Sequence, residues 1–140
     1  NFNEGGRLSI VSGNLIRDLS EKGPYPPDAQ GFGIGIHVEA ETAVSANVIE
    51  NAPLFGINIG WGEFMRNVSA TGNIIRNAGE GIAVTVVDGA GPAVISDNVI
   101  QGAKRGAIMG HHWAEIVSGD MALHGNQGFD HLTVERNRAS

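Results

Sequence analysis

The chain contains no cysteine in its 140 residues, which excludes disulfides and thiolate metal sites while leaving the compartment open. Aromatic residues make up only 6% of it, too few for a core built on rings, so any interior has to be aliphatic. No stretch is apolar enough to span a bilayer, and no charged segment followed by a hydrophobic run marks a signal peptide. Basic residues are also scarce. Nine Lys and Arg stand against fifteen Asp and Glu, a formal charge of −6 with no basic run. This argues against a nucleic-acid surface and disfavours polyanionic sugars unless a cation bridges them.

What the chain has instead is 41% hydrophobic residues, 21 glycines and one line of sequence that recurs. It reads Asn47-Val-Ile49 then Gly56-Ile57, Asn73-Ile-Ile75 then Gly81-Ile82, and Asn98-Val-Ile100 then Gly106-Ala107. The Asn positions lie 26 and 25 residues apart and the Gly positions 25 and 25. Two markers keeping one period predict a structural repeat. Asn14-Leu-Ile16 is an earlier copy and Asn137 begins another. The last nine residues, Leu132 to Ser140, look like a coil cut short, and the chain opens on Asn1. The expectation is therefore one segment, residues 1–140, of a longer polypeptide.

Within a copy, Val94, Ser96 and Asn98 share one direction while Ala93 and Ile95 face the other, the period of two expected of a strand. Val99-Ile100 and Ala107 to Gly110 read as two further short strands, separated by turns. Three short strands in about 25 residues predict a parallel β-helix whose strands pair one coil along, at about 4.8 Å. Val11, Val44, Ala70, Ile95 and Val134 then form one aliphatic column, and Ile16, Ile49, Ile75 and Ile100 another. The Asn column fits a ladder, because Asn tolerates left-handed dihedrals and its amide can bond backbone carbonyls of neighbouring coils. Helical alternatives fail on the abundance of Val, Ile, Thr, Gly and Asn, weak helix formers with no i, i+3, i+4 pattern. Trp113 to Leu123 is the one stretch that admits a short helical or irregular excursion.

Asn-x-Ile followed by Gly-Ile-x-Val is similar to the repeat of the right-handed parallel β-helix superfamily, the pectin-lyase-like proteins. The long-period, Asn-rich version resembles exported bacterial β-helix repeat proteins, including an uncharacterised twin-arginine-translocated group. The resemblance implies an all-β, right-handed parallel β-helix solenoid of about five coils of about 25 residues. It further implies a periplasmic or extracellular location and a polysaccharide or oligosaccharide as partner. A sister group is described as periplasmic copper-binding repeats, whose ligand pattern is not evident in this chain.

Two insertions depart from the regular coil, 20–30 and 111–131. Both border the face made by the Gly-Ile strands, and long loops on a rigid scaffold usually carry function, so that face is the expected groove. Aligning the strands at Gly33, Gly56, Gly81 and Gly106 gives outward rows Gly35, Asn58, Ala83, Ile108 and then His37, Gly60, Thr85, Gly110. One step further the register gives Ala40, Glu63, Asp88 and Trp113. Glu63 and Asp88 would thus lie about 5 Å apart on adjacent coils, a spacing suited to acid and nucleophile in glycoside cleavage or to a shared Ca²⁺. They are the expected catalytic pair, against the reading of two solvated turn acids. Trp113 would stack on a sugar ring, with His37, Glu39, Asn58 and His112 as further binding residues.

An enzyme of this kind would be a polysaccharide lyase or glycoside hydrolase. A lyase also needs a basic residue to take the proton, and no Arg or Lys is expected on the strands of this face. Arg66, Lys104 and Arg105, all placed in turns, are the nearest. Two alternatives stay open. One is a non-enzymatic spacer or interaction module, with homo-oligomer contacts through coil ends or loops. The other is a metal-binding repeat protein using His37 with Glu39, or His112 with His124 and His131.

Overall fold

The computed structural model describes residues 8–23 and 31–140. The rest of the expected 20–30 insertion, residues 24–30, lies outside the described residues, as do residues 1–7. Twelve strands, one 3-10 turn and one helical turn follow in order along the described chain. The strands are β1 (Ser9–Ser12), β2 (Leu15–Arg17), β3 (Ile34–Val38), β4 (Thr42–Ser45), β5 (Val48–Ile59), β6 (Val68–Thr71), β7 (Ile74–Thr85), β8 (Ala93–Ser96), β9 (Val99–His112), β10 (Glu115–Ile116), β11 (Leu132–Glu135) and β12 (Arg138–Ala139). The 3-10 turn is Gly62–Phe64. A single helical turn, α1 (Met121–His124), lies inside the Trp113 to Leu123 stretch and just beyond it, with Asp120 as its N-cap.

One sheet has five parallel strands in the order β1-β4-β6-β8-β11. The other has the order β10-β9-β7-β5-β2, with β3 pairing β5 and β12 pairing β9; it is mixed, because β10 runs antiparallel to β9. Val11, Val44, Ala70, Ile95 and Val134 are cross-strand neighbours in the first sheet. Ile16, Ile49, Ile75 and Ile100 are neighbours in the second. Apart from Ala70 these residues are β-branched, which suits a pleated surface, and Val44, Ala70, Ile95, Ile49 and Ile75 are wholly buried in one cluster shared by both sheets. A third buried row, Ile36, Ile57, Ile82 and Ile108, joins them.

The architecture corrects the expectation of a five-coil β-helix solenoid. The chain is all-β, but its strands form two sheets around a common core and not a run of three-stranded coils. Pairing intervals in the first sheet are uneven: β1 to β4 is 33 residues, β4 to β6 is 26, β6 to β8 is 25 and β8 to β11 is 39. The second and third expected strands are single long strands of 12, 12 and 14 residues. The physical reason is local. Asn51, Asn77 and Gly102 take left-handed dihedrals, so each strand bends there while its sheet pairing resumes beyond the bend, with no separate turn. With the solenoid goes the argument for an exported, periplasmic repeat protein.

The Asn column has a definite role in this framework. The residue before each Asn is left-handed (Gly13, Ala46, Gly72, Asp97, Arg136), which turns the chain from one sheet into the other. Asn47 then donates from its backbone N and its Nδ2 to Asn73 Oδ1, at 3.1 and 3.0 Å. Asn73 does the same to Asn98 Oδ1, and Asn98 to Asn137 Oδ1. Asn47, Asn73 and Asn98 are buried, so these bonds satisfy corner groups that would otherwise be left unpaired away from water.

The Gly-Ile pairs are fixed by contact. A Cβ on Gly56 would come within 2.6 Å of the Gly81 carbonyl oxygen, and one on Gly81 within 2.5 Å of the Ala107 carbonyl oxygen. The row is Gly35, Gly56, Gly81 and Ala107, not the expected Gly33, Gly56, Gly81 and Gly106. The shift arises because three steps from Ala103 to Gly106 in β9 match two from Ala78 to Glu80 in β7. His37 therefore pairs with Asn58, which pairs with Ala83, which pairs with Met109, while Ile108 points into the core.

Candidate functional site

The second halves of β3, β5, β7 and β9 form the floor of a cleft of about 550 Å³. Its walls are set where the strands end. Gly60 and Gly62 take positive φ values of 78° and 60°, which swings Trp61 out and leads into the 3-10 turn. Thr85 Oγ1 donates to the Gly62 carbonyl at 3.0 Å and pins that turn to β7. Trp113, itself left-handed at the end of β9, lays its ring on Gly62, where any side chain would collide with it. The Trp61 and Trp113 rings meet edge to face, with centroids 5.4 Å apart at 71°. They remain 41% and 38% exposed, so ring surface is left for a ligand.

His37 and Asn58 line the cleft on one side and His111 on the other, each side backed by a buried carboxylate. On one, Asn58 Nδ2 donates to His37 Nδ1 at 2.9 Å, and His37 Nε2 lies 3.5 Å from Glu39 Oε1. Glu39 is buried, and neither of its carboxylate oxygens has a hydrogen-bond partner among the described residues. On the other, His111 Nε2 lies 2.6 Å from Glu80 Oε2, and the ring packs edge to face on Phe55 with centroids 5.5 Å apart. Arg105 Nε is 3.3 Å from Glu80 Oε1, and its Nη2 donates to the Leu54 carbonyl at 2.9 Å. Burying Glu80 requires such partners, since an unpaired carboxylate there is heavily penalised.

Of the residues expected from the sequence, His37, Asn58 and Trp113 come together in this cleft, with Glu39 behind His37. Glu63 and Asp88 do not line it; both are exposed turn residues. Glu63 Cβ lies beside Gly89, 3.6 Å from where a Cβ there would stand, so the two turns are neighbours. Ala40 bridges to Arg66 and is not in line with Glu63. His112 is exposed on the opposite side of β9 from His111. His131 Nε2 donates to the Thr85 carbonyl at 3.1 Å. Among the described residues no three His, Asp or Glu side chains converge as metal ligands.

Sequence reasoning missed Trp61, Glu80 and His111, and it placed Arg105 in a turn before a strand. Arg105 lies within β9 and reaches both Glu80 and Leu54. The available signal was Glu80 itself, a lone acid followed by the apolar run Gly81-Ile-Ala-Val84, with Arg105 just 25 residues on, the spacing of the row.

No protein-family model, no curated protein and no solved structure matches the chain. No helix among the described residues is long and apolar enough to cross a membrane.

Proposed function

We propose that the cleft binds a saccharide. The observation that carries this reading is the Trp61–Trp113 pair, half-exposed at the cleft beside hydrogen-bonding side chains. Sugar rings present C–H faces that pack on indole and a rim of hydroxyls that need polar partners, and a mostly apolar cleft with a few placed polar groups meets both needs. Asn58, His37 and His111 supply the polar partners, and the Gly60–Gly62 turn fixes one ring against the other. The test is a glycan-array screen of the purified chain and of Trp113→Ala. A defined oligosaccharide bound by the first and lost from the second supports the reading. A blank array from well-folded protein overturns it.

A second reading, an interaction module, draws on a different surface. Leu15, Val48, Ile74 and Val99 are cross-strand neighbours, and all four are exposed. Such an aliphatic row is suited to burial against another copy of the chain. A concentration-dependent dimer in sedimentation that is abolished by Ile74→Asp would favour it, and a monomer at all concentrations would remove it.

A further inference from the structure

We infer that two copies of this chain pair through the outer face of the second sheet, about a two-fold axis that runs parallel to the strands and passes between β5 and β7. The inference rests on the interaction reading above. Side chains two residues apart on a strand share one side of the sheet, so a second row runs beside the exposed aliphatic one. Its members are Arg17, Glu50, Arg76 and Gln101, in the same cross-strand register as Leu15, Val48, Ile74 and Val99. Ile49 and Ile75, between the rows, point the other way and are wholly buried. Within the chain Arg76 Nη2 pairs with Glu50 Oε2, and both side chains still reach solvent, at 62% and 29% exposure.

The aliphatic row supplies a reason to pair, because a contiguous exposed apolar strip is what a partner removes from water. The charged row selects the geometry. In a two-fold contact one patch serves both copies, so residue i meets j and j meets i. An axis parallel to the strands reverses the strand order and lays each row on itself. Centred between β5 and β7, it sets Glu50 against Arg76 of the second copy, twice, and lays Leu15 on Val99 and Val48 on Ile74. Arg17 then meets the uncharged Gln101. With the pair inside each chain, the contact holds a square of alternating charges, and networks of this kind stabilise more than an isolated surface pair. Other placements fail on the same residues. Centred on β5, the axis sets Glu50 on Glu50; centred on β7, Arg76 on Arg76. Between β2 and β5 it covers only Leu15 and Val48. Between β7 and β9 it brings Arg138, the neighbour of Val99, onto Val48. An axis perpendicular to the strands sets each charge either on its own like or, for Glu50 and Arg76, over Ala46 and Gly72.

The experiment is sedimentation equilibrium of the whole chain and of two charge reversals, Glu50→Arg and Arg76→Glu, each alone and mixed one to one. The unmutated chain is expected to dimerise. Each reversal alone creates two like-charged pairs across the contact, and its dissociation constant should rise on the order of 100-fold. The mixture should recover the dimer. In it the new arginine of one variant faces the new glutamate of the other, while the untouched Arg76 and Glu50 face each other. If either reversal fails to fold, the double variant Glu50→Arg with Arg76→Glu carries the test, since it keeps the pair within its own chain. It is expected to dimerise with itself and not with the unmutated chain; pairing equally well with both overturns the inference. Reversals that dimerise as tightly as the unmutated chain, or a mixture as monomeric as its components, overturn the two-fold arrangement and leave the aliphatic contact standing. An unmutated chain that stays monomeric at all concentrations overturns the inference and the interaction reading together.

Discussion

Replacing Asn73 with alanine tests whether the buried Asn chain holds the two sheets together. Asn73 is fully buried. Its Oδ1 accepts from Asn47 N and Asn47 Nδ2, and its Nδ2 donates to the Val44 carbonyl and to Asn98 Oδ1. Alanine leaves the Asn47 backbone N–H without an acceptor and removes one of two acceptors from Asn47 Nδ2, which keeps the Val11 carbonyl. Asn98 Oδ1 keeps the Asn73 backbone N–H. Each orphaned buried group costs about 1–3 kcal/mol, so two give roughly 2–6 kcal/mol, a large part of the total stability of a typical domain. Asn14→Ala is the internal control. Asn14 is exposed at the end of the chain of bonds, and its loss should cost less than about 1 kcal/mol. Urea unfolding of both variants, followed by circular dichroism at fixed m-value, reads the difference. A cost for Asn73→Ala no larger than that for Asn14→Ala would refute the reasoning.

Two further predictions concern packing and charge. Gly81→Ala places a methyl 2.5 Å from the Ala107 carbonyl oxygen and 2.6 Å from Ile100 Cγ2, an overpacking expected to cost about 1–3 kcal/mol; a neutral result in thermal unfolding would show that β7 and β9 can part at this point. The Arg136 guanidinium, bonded to both oxygens of Asp97 at 3.0 and 3.1 Å, holds that carboxyl below its ordinary range. A depressed folded value means stability that is present above the unfolded carboxylate value, about 3.9, and lost as pH falls through the folded one. Asp97→Asn should therefore lower the urea midpoint at neutral pH, by an amount that shrinks as the pH falls below about 3.9. A loss that does not change as the pH is lowered would contradict the assignment.

Parts of this structure were legible because they rest on residues with one physical reading. The Val11 and Ile16 columns are β-branched residues at fixed spacing, and they became cross-strand neighbours in the two sheets. The architecture was not legible, because the stretch between Ile100 and Ala107 was read as a turn where the left-handed Gly102 only bends a continuing strand. The register of the cleft floor failed for a related reason. Gly33 and Gly35 both satisfy the Gly-Ile pattern, and only the contact of Gly35 with the Gly56 carbonyl distinguishes them. The extra residue between Ala103 and Gly106 then moved Met109, not Ile108, into the row of His37 and Asn58. His37, Asn58 and Trp113 were expected from sequence because each stands near or beyond the end of a Gly-Ile strand, and the three share one cleft. Glu80, Arg105 and His111 were not, because their meeting depends on that irregular register and on side chains reaching across three strands.

The most direct test of the proposed saccharide reading is a ¹⁵N–¹H correlation spectrum of the chain titrated with an oligosaccharide that the glycan array identifies. The account predicts that the two indole N–H signals, Trp61 and Trp113, and the Asn58 side-chain amide shift together with one saturation curve. Unmoved indole signals, or shifts confined to residues outside the cleft, would contradict it.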